Sequence, residues 1–250
     1  MFEGIKNKRV LITGASSGIG SAMVQLFADY GACVGIHYNK NKDSAVSLLK
    51  KVRKQTKAEL FQGNLLEVET AKDVVKSFIQ QFDGIDVLIN NAAGVFNYTY
   101  FSKLNEKSWD QTFALNLKAP FYMSGEAFEH MKNHGGGKIL NISTVAVKYG
   151  GPNGLHYSAS KAALDHLTLG FAREGAKHSI LVNSIRCGLI DTPMRKKIPG
   201  YSEERFKARM NLVPLKKVGQ PLDIARMALF LASDCGNFIT GEIFAVAGGD

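Results

Sequence analysis

The chain has 250 residues, of which 45% are hydrophobic, and a net charge of +9 at pH 7. This size and apolar content suffice for a sizeable core, and we expect one domain over residues 1–250. The sequence has no uninterrupted apolar run of about 18 residues and no signal-peptide pattern, so we expect a cytoplasmic protein without a membrane span. Much of the positive charge falls in LLKKVRKQTK. This segment is a predicted amphipathic helix without interleaved aromatic residues, and we expect no nucleic-acid binding.

Seven apolar, β-branched runs follow one another along the chain, with helical stretches between them. They are KRVLIT, ACVGIHY, AELFQG, IDVLINN, GKILNIS, ILVNSIR and EIFAVAG. The intervening segments repeat apolar residues at helical spacing, as in Val74, Val75, Phe78 and Ile79. Because each parallel strand needs a crossover helix to return the chain, this alternation predicts an α/β fold. We expect a doubly wound sheet of seven mainly parallel strands with helices on both faces.

The first predicted strand leads into a glycine-rich turn, VLITGASSGIG, at which a helix begins. Glycine has no Cβ, so Gly14, Gly18 and Gly20 permit a tight turn and a close approach of the backbone to a ligand. The amides that begin the helix attract an anion, for which a pyrophosphate is the natural candidate. A plain tight turn is the alternative, but the position after a first strand favours a Rossmann-type dinucleotide site. The expected cofactor contacts here are Gly14, Ser16, Ser17, Gly18, Ile19 and Gly20.

The end of the second predicted strand, GIHYNKNK, indicates which dinucleotide is bound. NAD enzymes typically place Asp or Glu there to bind the ribose hydroxyls, whereas NADP enzymes place a cation or neutral donors. In this chain Tyr38 occupies the acidic position and is followed by Asn39 and Lys40. Since no carboxylate is present to repel a 2′-phosphate, we expect NADP(H) as the cofactor in preference to NAD. A merely solvated Lys40 is the alternative.

The segment HYSASKAAL places Tyr157 and Lys161 four residues apart on a predicted helix, about 6 Å apart along its axis. The pair is either a solvated helix edge or a proton donor with a neighbouring cation. Reduction of a ketone needs a proton donor, but an unperturbed tyrosine has a pKa of about 10. Lowering it to about 7 takes about 4 kcal/mol, similar to the attraction of unit charges about 4 Å apart at an effective dielectric of about 20. The spacing therefore predicts that Lys161 lowers the pKa of Tyr157.

A charged segment with three prolines, residues 190–215, interrupts the alternation between the sixth and seventh strands. It reads IDTPMRKKIPGYSEERFKARMNLVPL. Long excursions of this kind often carry function, so we predict a substrate lid, with a disordered surface loop as the alternative.

Cysteine usage points to a reducing environment. Cys33, Cys187 and Cys235 are odd in number, far apart and without a CxxC spacing. This pattern fits reduced thiols better than a disulfide framework, and it predicts no metal site. No base is obviously placed beside Cys187, so we expect it to be a small apolar filler and not a reactive thiol.

Several short motifs occur in order along nearly the whole chain. They are TGASSGIG from Thr13, NNAAG from Asn90, ALNLKAPF around Asn116, NIST from Asn141, YSASK from Tyr157, RCGLIDTPM from Arg186 and the terminal FLASDCGNFITGEIFAVAGG. With these motifs the chain resembles the short-chain dehydrogenase/reductase family, and in particular the group with 3-oxoacyl-carrier-protein reductases and glucose dehydrogenases. The resemblance implies a nicotinamide-dependent oxidoreductase acting on a small-molecule carbonyl compound or alcohol, assembled as a homotetramer or homodimer.

The resemblance also implies roles for individual residues. Tyr157 is the general acid/base, Lys161 holds the nicotinamide ribose, and Asn116 supports a proton relay through water. The family's catalytic serine usually lies thirteen residues before the tyrosine, where this chain has Thr144; Ser143 lies fourteen before it, and both hydroxyls remain candidates. Besides Tyr157 and Lys161, the further cofactor contacts that the resemblance implies are Asn64, Leu65, Asn91, Ala92, Gly188, Ile190 and Thr192.

The sequence leaves the substrate open. We expect reduction of a ketone or aldehyde, or oxidation of the corresponding secondary alcohol, with reduction of a 3-oxoacyl carrier protein or oxidation of a sugar as alternatives. A carrier protein would require arginines beside the active site, at positions that the resemblance assigns to Gly135 and His178. The basic cluster at 195–197 is another surface for an acidic partner. A nonenzymatic NADP(H) sensor is the alternative of another class, but a sensor has little reason to retain the whole acid/base set.

Overall fold

The structure is a computed structural model that describes residues 2–151, 154–194, 198 and 200–250. Its strands are β1 (Arg9–Ile12), β2 (Cys33–Tyr38), β3 (Ala58–Gln62), β4 (Val87–Asn90), β5 (Gly137–Thr144), β6 (Ile180–Cys187) and β7 (Ile243–Val246). They form one sheet in the order β3-β2-β1-β4-β5-β6-β7, and every adjacent pair is parallel. The seven predicted strands and the predicted doubly wound fold are therefore confirmed.

Helices cover both faces of this sheet. They are α1 (Gly18–Asp29), α2 (Lys42–Val52), α3 (Val68–Phe82), α4 (Glu106–Phe113), α5 (Ala119–Lys132), α6 (Ala146–Tyr149), α7 (Leu155–Gly175), α8 (Glu203–Leu212) and α9 (Pro221–Ala232). Short 3-10 turns lie at Phe101–Lys103, Ala176–His178 and Asp234–Gly236, and a π-helical turn spans Ala114–Lys118. One apolar core packs under α1, α2 and α9, and a second packs on the opposite face under α3, α5 and α7. A sheet buried on both faces explains why its strands read as continuous apolar runs.

The strand order reverses at β1, and this reversal positions a cleft. The chain runs outward from β1 to β3 and then returns to β4 on the other side of β1. Connections that diverge in this way leave a crevice at the carboxyl ends of the strands. The hydroxyl of Thr13, just after β1, accepts hydrogen bonds from the N–H groups of Asn91 and Ala92 after β4, both at 2.9 Å. These bonds hold the two strand ends together beside the crevice.

The basic helix is shorter than the sequence predicts. We expected helix throughout LLKKVRKQTK, but α2 ends at Val52. The chain turns back there because the Arg53 side chain donates to the carbonyl oxygen of Ala58 at 3.0 Å and pairs with Glu59. Only the first part of the basic segment is therefore helical.

The segment 190–215 is partly helical. α8 begins after Ser202, whose hydroxyl caps its first turn, and Arg209 of α8 forms an ion pair with Asp250. Regular structure in α8 argues against the alternative of a wholly irregular loop, whereas the role as a lid stays a prediction. The basic cluster at 195–197 lies outside the described residues.

Across the described ranges, none of the helices combines the length and the hydropathy that crossing a bilayer requires. All three cysteines are free thiols, with Cys187 buried and Cys235 exposed. Within the same ranges, no three His, Cys, Asp or Glu side chains cluster as ligands for a metal ion.

Candidate active site

A cleft of about 780 Å³ opens at the carboxyl ends of the strands, around the reversal at β1. It is built from the glycine-rich turn, the end of β2, the loop after β4, the end of β5, the start of α7 and the loop after β6. Of the residues that the sequence predicts for the site, Asn64 and Asn116 do not line this cleft. Those that do are Gly14, Ser16, Ser17, Gly18, Ile19, Gly20, Tyr38, Asn39, Lys40, Leu65, Asn91, Ala92, Ser143, Thr144, Tyr157, Lys161, Gly188, Ile190 and Thr192.

The glycine-rich turn fits a bound pyrophosphate. Gly14 and Gly18 have φ angles of +61° and +56°, a conformation that favours glycine. A Cβ on Gly14 would lie 2.8 Å from the Cα of Ala92, and one on Gly20 would lie 2.5 Å from the carbonyl oxygen of Gly14. The side chain of Ser17 does not cap α1, which leaves the first N–H groups of this helix to face a ligand. The turn thus has the space and the donors that a dinucleotide phosphate requires.

The end of β2 makes the adenosine end of the cleft positive. Asn39 and Lys40 are exposed there and line the cleft together with Tyr38. No Asp or Glu is among the described residues that line it. The side-chain amide of Asn39 donates to the side-chain oxygen of Asn64 at 3.3 Å. Asn64 therefore contacts Asn39, which itself lines the cleft, and the predicted contact of Asn64 with the cofactor stays a prediction.

Tyr157 lies in the first turn of α7, where its phenol hydrogen-bonds with the hydroxyl of Thr144 at the end of β5. Burial raises the pKa of Tyr157 above its ordinary value, and the neighbouring Tyr98 and Cys187 raise it further. The hydrogen bond from Thr144 acts in the opposite direction but is the weaker influence. Lys161 is not among these influences, and its predicted lowering of the Tyr157 pKa stays a prediction.

The Lys161 ammonium lies against β5. Its Nζ donates to the carbonyl oxygen of Ile142 on β5 at 2.6 Å, and the residue is 1% exposed. Burial lowers the pKa of Lys161 to about 8, although Cys187 and Asp165 act to raise it. Spacing by four residues puts Tyr157 and Lys161 on one face of α7, but the long lysine stem carries the charge across to β5.

Two adjacent hydroxyls stand at the end of β5. Thr144 meets Tyr157, and its Oγ1 also accepts from the N–H of Ala146 at 3.2 Å. The Ser143 hydroxyl is buried without a hydrogen-bond partner among the described residues. Successive side chains of a strand point to opposite faces, so the two hydroxyls are directed differently. This geometry supports Thr144 as the partner of Tyr157.

Asn116 lies in the π-helical turn and is completely buried. Its Oδ1 accepts from the N–H of Gly94, and its Nδ2 donates to the carbonyl oxygen of Gly94, both at 2.9 Å. Nδ2 also donates to the hydroxyl of Ser160 at 3.1 Å. The side chain thus clamps the loop after β4 onto α7 with all its polar groups in use. The predicted water relay through Asn116 stays a prediction.

Sequence reasoning missed the loop that borders the cleft beside Tyr157. Phe96 and Tyr98 line the cleft there, and burial raises the pKa of Tyr98. His156 is buried directly before Tyr157, and its Nε2 lies 2.9 Å from the carbonyl oxygen of Phe96, to which it donates. The aromatic run VFNYTYF after NNAAG was the available signal.

A buried carboxylate on α7, one turn beyond Lys161, was also missed. Asp165 accepts from the hydroxyl of Ser184 at 2.7 Å and from Nε of Arg186 at 2.8 Å. Its negative charge acts to raise the pKa of Lys161 and so favours the protonated amine. No local sequence pattern predicts this hydrogen-bond network, because its members lie on two separate elements, α7 and β6.

Comparisons with known proteins agree with this geometry. A family model described as enoyl-(acyl carrier protein) reductase matches residues 14–250. The chain is 36% identical over 246 residues to the 3-oxoacyl-[acyl-carrier-protein] reductase FabG of Thermotoga maritima, covering 98% of each chain. It is also 36% identical over 250 residues to the 3alpha-hydroxysteroid dehydrogenase of Mediterraneibacter gnavus, covering 99% of this chain and 98% of the relative.

A solved structure is similar over the whole fold. It is a blue fluorescent protein from a metagenomic library, in complex with NADPH, with a TM-score of 0.91, 31% identity and 99% of each chain covered. The all-parallel sheet and the glycine-rich turn match what the motifs implied. With a family model and relatives that extend over nearly its entire length, the chain belongs to the short-chain dehydrogenase/reductase family of oxidoreductases.

Proposed function

We propose that the protein is an NADP(H)-dependent oxidoreductase that reduces a ketone or aldehyde, or oxidises the corresponding secondary alcohol. This proposal rests on one observation: the Tyr157 phenol is hydrogen-bonded to Thr144 and lies in the same cleft as the glycine-rich turn. When bound, the reduced nicotinamide supplies a hydride to the carbonyl carbon. Tyr157 gives its proton to the carbonyl oxygen, and the hydroxyl of Thr144 orients that oxygen.

The choice of NADP(H) rests on charge at the adenosine end. Lys40 lines the cleft and no described acidic side chain does. A 2′-phosphate is therefore attracted by Lys40 and repelled by no described carboxylate there. The similar blue fluorescent protein was solved in complex with NADPH.

We expect NADPH to bind more tightly than NADH in fluorescence titrations. Lys40→Met should remove most of that preference, whereas the control Lys42→Met, exposed but outside the cleft, should keep it. Equal affinity of the native chain for both cofactors would overturn this choice.

The titration of Tyr157 favours reduction at neutral pH. Because burial raises its pKa, the phenol keeps its proton near pH 7 and is ready to donate it. Oxidation of an alcohol needs the deprotonated phenol, whose population rises about tenfold for each pH unit below the pKa. We therefore expect kcat/KM for alcohol oxidation to rise steeply with pH above neutrality while that for carbonyl reduction stays flat. Parallel profiles would contradict this role of Tyr157.

The substrate class is best found with a panel followed at the nicotinamide absorbance. Val95, Phe96, Leu115 and Met194 line the cleft, which favours carbonyl compounds with an apolar body. The panel should contain cyclic ketones, aldoses and oxoacyl thioesters, because the similar relatives include an acyl-carrier-protein reductase and a hydroxysteroid dehydrogenase. Turnover of one class supports the proposal. Tight NADPH binding without turnover of any class would support the nonenzymatic sensor instead.

The segment 190–215 is our candidate for a lid over this cleft. Thr192, Pro193 and Met194 already line it, while α8 further along has no buried residue. A lid closes over a ligand, so we expect NADPH with a carbonyl substrate to slow proteolytic cleavage in α8. Unchanged cleavage would refute the closure.

We also propose self-association, as a homotetramer or homodimer, in the cytoplasm. Large aromatic side chains are left exposed on the single chain, with Phe121 of α5 45% exposed and Phe238 fully exposed. The ring of Phe121 packs against the rings of Tyr122 and Phe171, and a grouped apolar surface of this kind favours contact with another copy of the chain. Free thiols at Cys33, Cys187 and Cys235 suit a reducing compartment. Light scattering that gives the mass of one chain would refute the assembly.

A further inference from the structure

The imidazole of His37 connects two loops of the cleft. His37 lies near the carboxyl end of β2, between β1 and β3 in the sheet. Its Nδ1 accepts a hydrogen bond from the N–H of Gly14 at 3.1 Å, and its Nε2 lies 3.1 Å from the carbonyl oxygen of Gly63. One side chain therefore joins the glycine-rich turn after β1 to the loop that follows β3.

These two partners fix the protonation state of the ring. A carbonyl oxygen can only accept, so Nε2 carries a hydrogen, and Nδ1 must be bare to accept from Gly14. Burial lowers the pKa of His37 to about 4, and the residue is only 2% exposed. The glycine-rich turn and the loop after β3 contact the ring through Gly14 and Gly63, and no described charged side chain contributes to the shift.

We propose that neutral His37 is a positioning residue that sets the spacing between the phosphate-binding turn and the adenosine-binding loop. The inference rests on the proposed cofactor function. Gly14 directs its N–H to His37, which leaves the later amides of the turn for the phosphates. Gly63 directly precedes Asn64 and the cleft-lining Leu65, so the same ring holds the adenosine side. His37 itself makes no chemical step and touches no reacting atom.

Two matched substitutions separate its two bonds. Asparagine carries an acceptor where histidine has Nδ1, so His37→Asn keeps the bond from Gly14 and loses the one to Gly63. Glutamine carries a donor near the position of Nε2, so His37→Gln keeps the Gly63 bond and loses the Gly14 bond. Thermal unfolding of each variant shows that it is folded before binding is measured.

The test compares two ligands that occupy different lengths of the cleft. NADPH spans both loops, whereas adenosine 2′-monophosphate, which has no 5′-phosphate, occupies the adenosine end alone. Loss of one hydrogen bond that sets the spacing should weaken NADPH about tenfold, and adenosine 2′-monophosphate by less than about threefold. KM for NADPH should rise in parallel, while kcat at saturating NADPH stays at the native value, because the chemistry lies at Tyr157.

The outcomes distinguish this inference from the function beneath it. If the native chain does not bind NADPH, the cofactor proposal fails. If the native chain binds NADPH but folded variants bind it equally well, or lose both ligands to the same extent, only the positioning role fails. An independent measurement uses the native chain: the nitrogen signals of His37 in NMR should show a neutral ring with hydrogen on Nε2 at pH 5.5. A ring that is charged at that pH, or protonated on Nδ1, would overturn the proposal.

Discussion

Replacing Lys161 by methionine should stabilise the fold while abolishing turnover. Burial lowers the pKa of Lys161 to about 8, against an ordinary value of 10.5. The folded chain therefore binds this proton more weakly than the unfolded chain does. Each unit of pKa corresponds to about 1.36 kcal/mol, so the buried charge lowers the free energy of unfolding at pH 7 by about 3 kcal/mol.

Methionine removes the charge but also the hydrogen bond to Ile142. The carbonyl oxygen of Ile142, 2.6 Å from Nζ, then loses this partner. Leaving a buried acceptor unpaired costs about 1–2 kcal/mol. The expected net gain in the free energy of unfolding at pH 7 is therefore about 2 kcal/mol, equivalent to about 4–8 °C in Tm for a chain of this length.

The gain in the free energy of unfolding of Lys161→Met should also decrease as the pH rises. Between pH 8 and pH 10.5 the unfolded chain still holds the proton that the folded chain has released. The free energy of unfolding of the native chain therefore rises over this range, whereas Lys161→Met lacks this contribution. The advantage of the variant is largest below pH 8 and disappears toward pH 10.5.

Urea unfolding at several pH values between 7 and 10.5 measures this difference directly. Lys138→Met is the matched control, because burial also lowers the pKa of Lys138 to about 8, yet this lysine lies near the amino end of β5 and donates to the carbonyl oxygen of Leu231. The control should keep its turnover. A Lys161→Met chain less stable than the native chain at pH 7, or a difference that stays constant with pH, would refute the reasoning.

Three further predictions concern the site and the buried carboxylate beside it. Tyr157→Phe should abolish turnover and leave the affinity for NADPH in fluorescence titrations nearly unchanged; residual normal activity would remove Tyr157 from the mechanism. Thr144→Ala should lower kcat far more than Ser143→Ala, and the reverse order would make Ser143 the catalytic hydroxyl. Asp165→Asn should lower the free energy of unfolding in urea by about 2 kcal/mol, because the partly buried Arg186 loses its ion pair. The double variant Asp165→Leu/Arg186→Leu should regain free energy of unfolding that Asp165→Leu alone loses. A double variant no more stable than Asp165→Leu would count against the ion pair.

Features that depend on neighbouring residues could be predicted from the sequence. The strand runs and the turn from Gly14 to Gly20 follow from apolar periodicity and from the need for glycine, both of which are local. The motif spacing likewise brought Tyr157 and Thr144 together, since a strand end and a helix start are fixed once the fold is known. Short-range pattern therefore sufficed for the sheet and the glycine-rich turn, whereas many other residues that line the cleft were implied by the family resemblance.

Features that depend on where a long or buried side chain ends could not be predicted. Spacing placed Lys161 on the correct face of α7, but only the packed position of β5 shows that the ammonium bonds to Ile142. Likewise, only the packed structure shows that Gly94 of the loop after β4 and Ser160 of α7 occupy the side-chain polar groups of Asn116. His37 was overlooked because its partners, Gly14 and Gly63, lie 23 and 26 residues away.

The first two turns of α7 hold three unfavourably buried side chains beside the cleft, and their grouping there is an argument for function. Nδ1 of His156 is buried without a partner among the described residues, Tyr157 has a raised pKa, and Lys161 has a lowered one. Further along the same helix, the buried Thr168 accepts a hydrogen bond from Asn141 at 2.9 Å. Selection for stability alone would replace the costly side chains with apolar ones. Two large polar groups among small residues in HYSASKAAL therefore mark the site, because packing gives no reason to keep them.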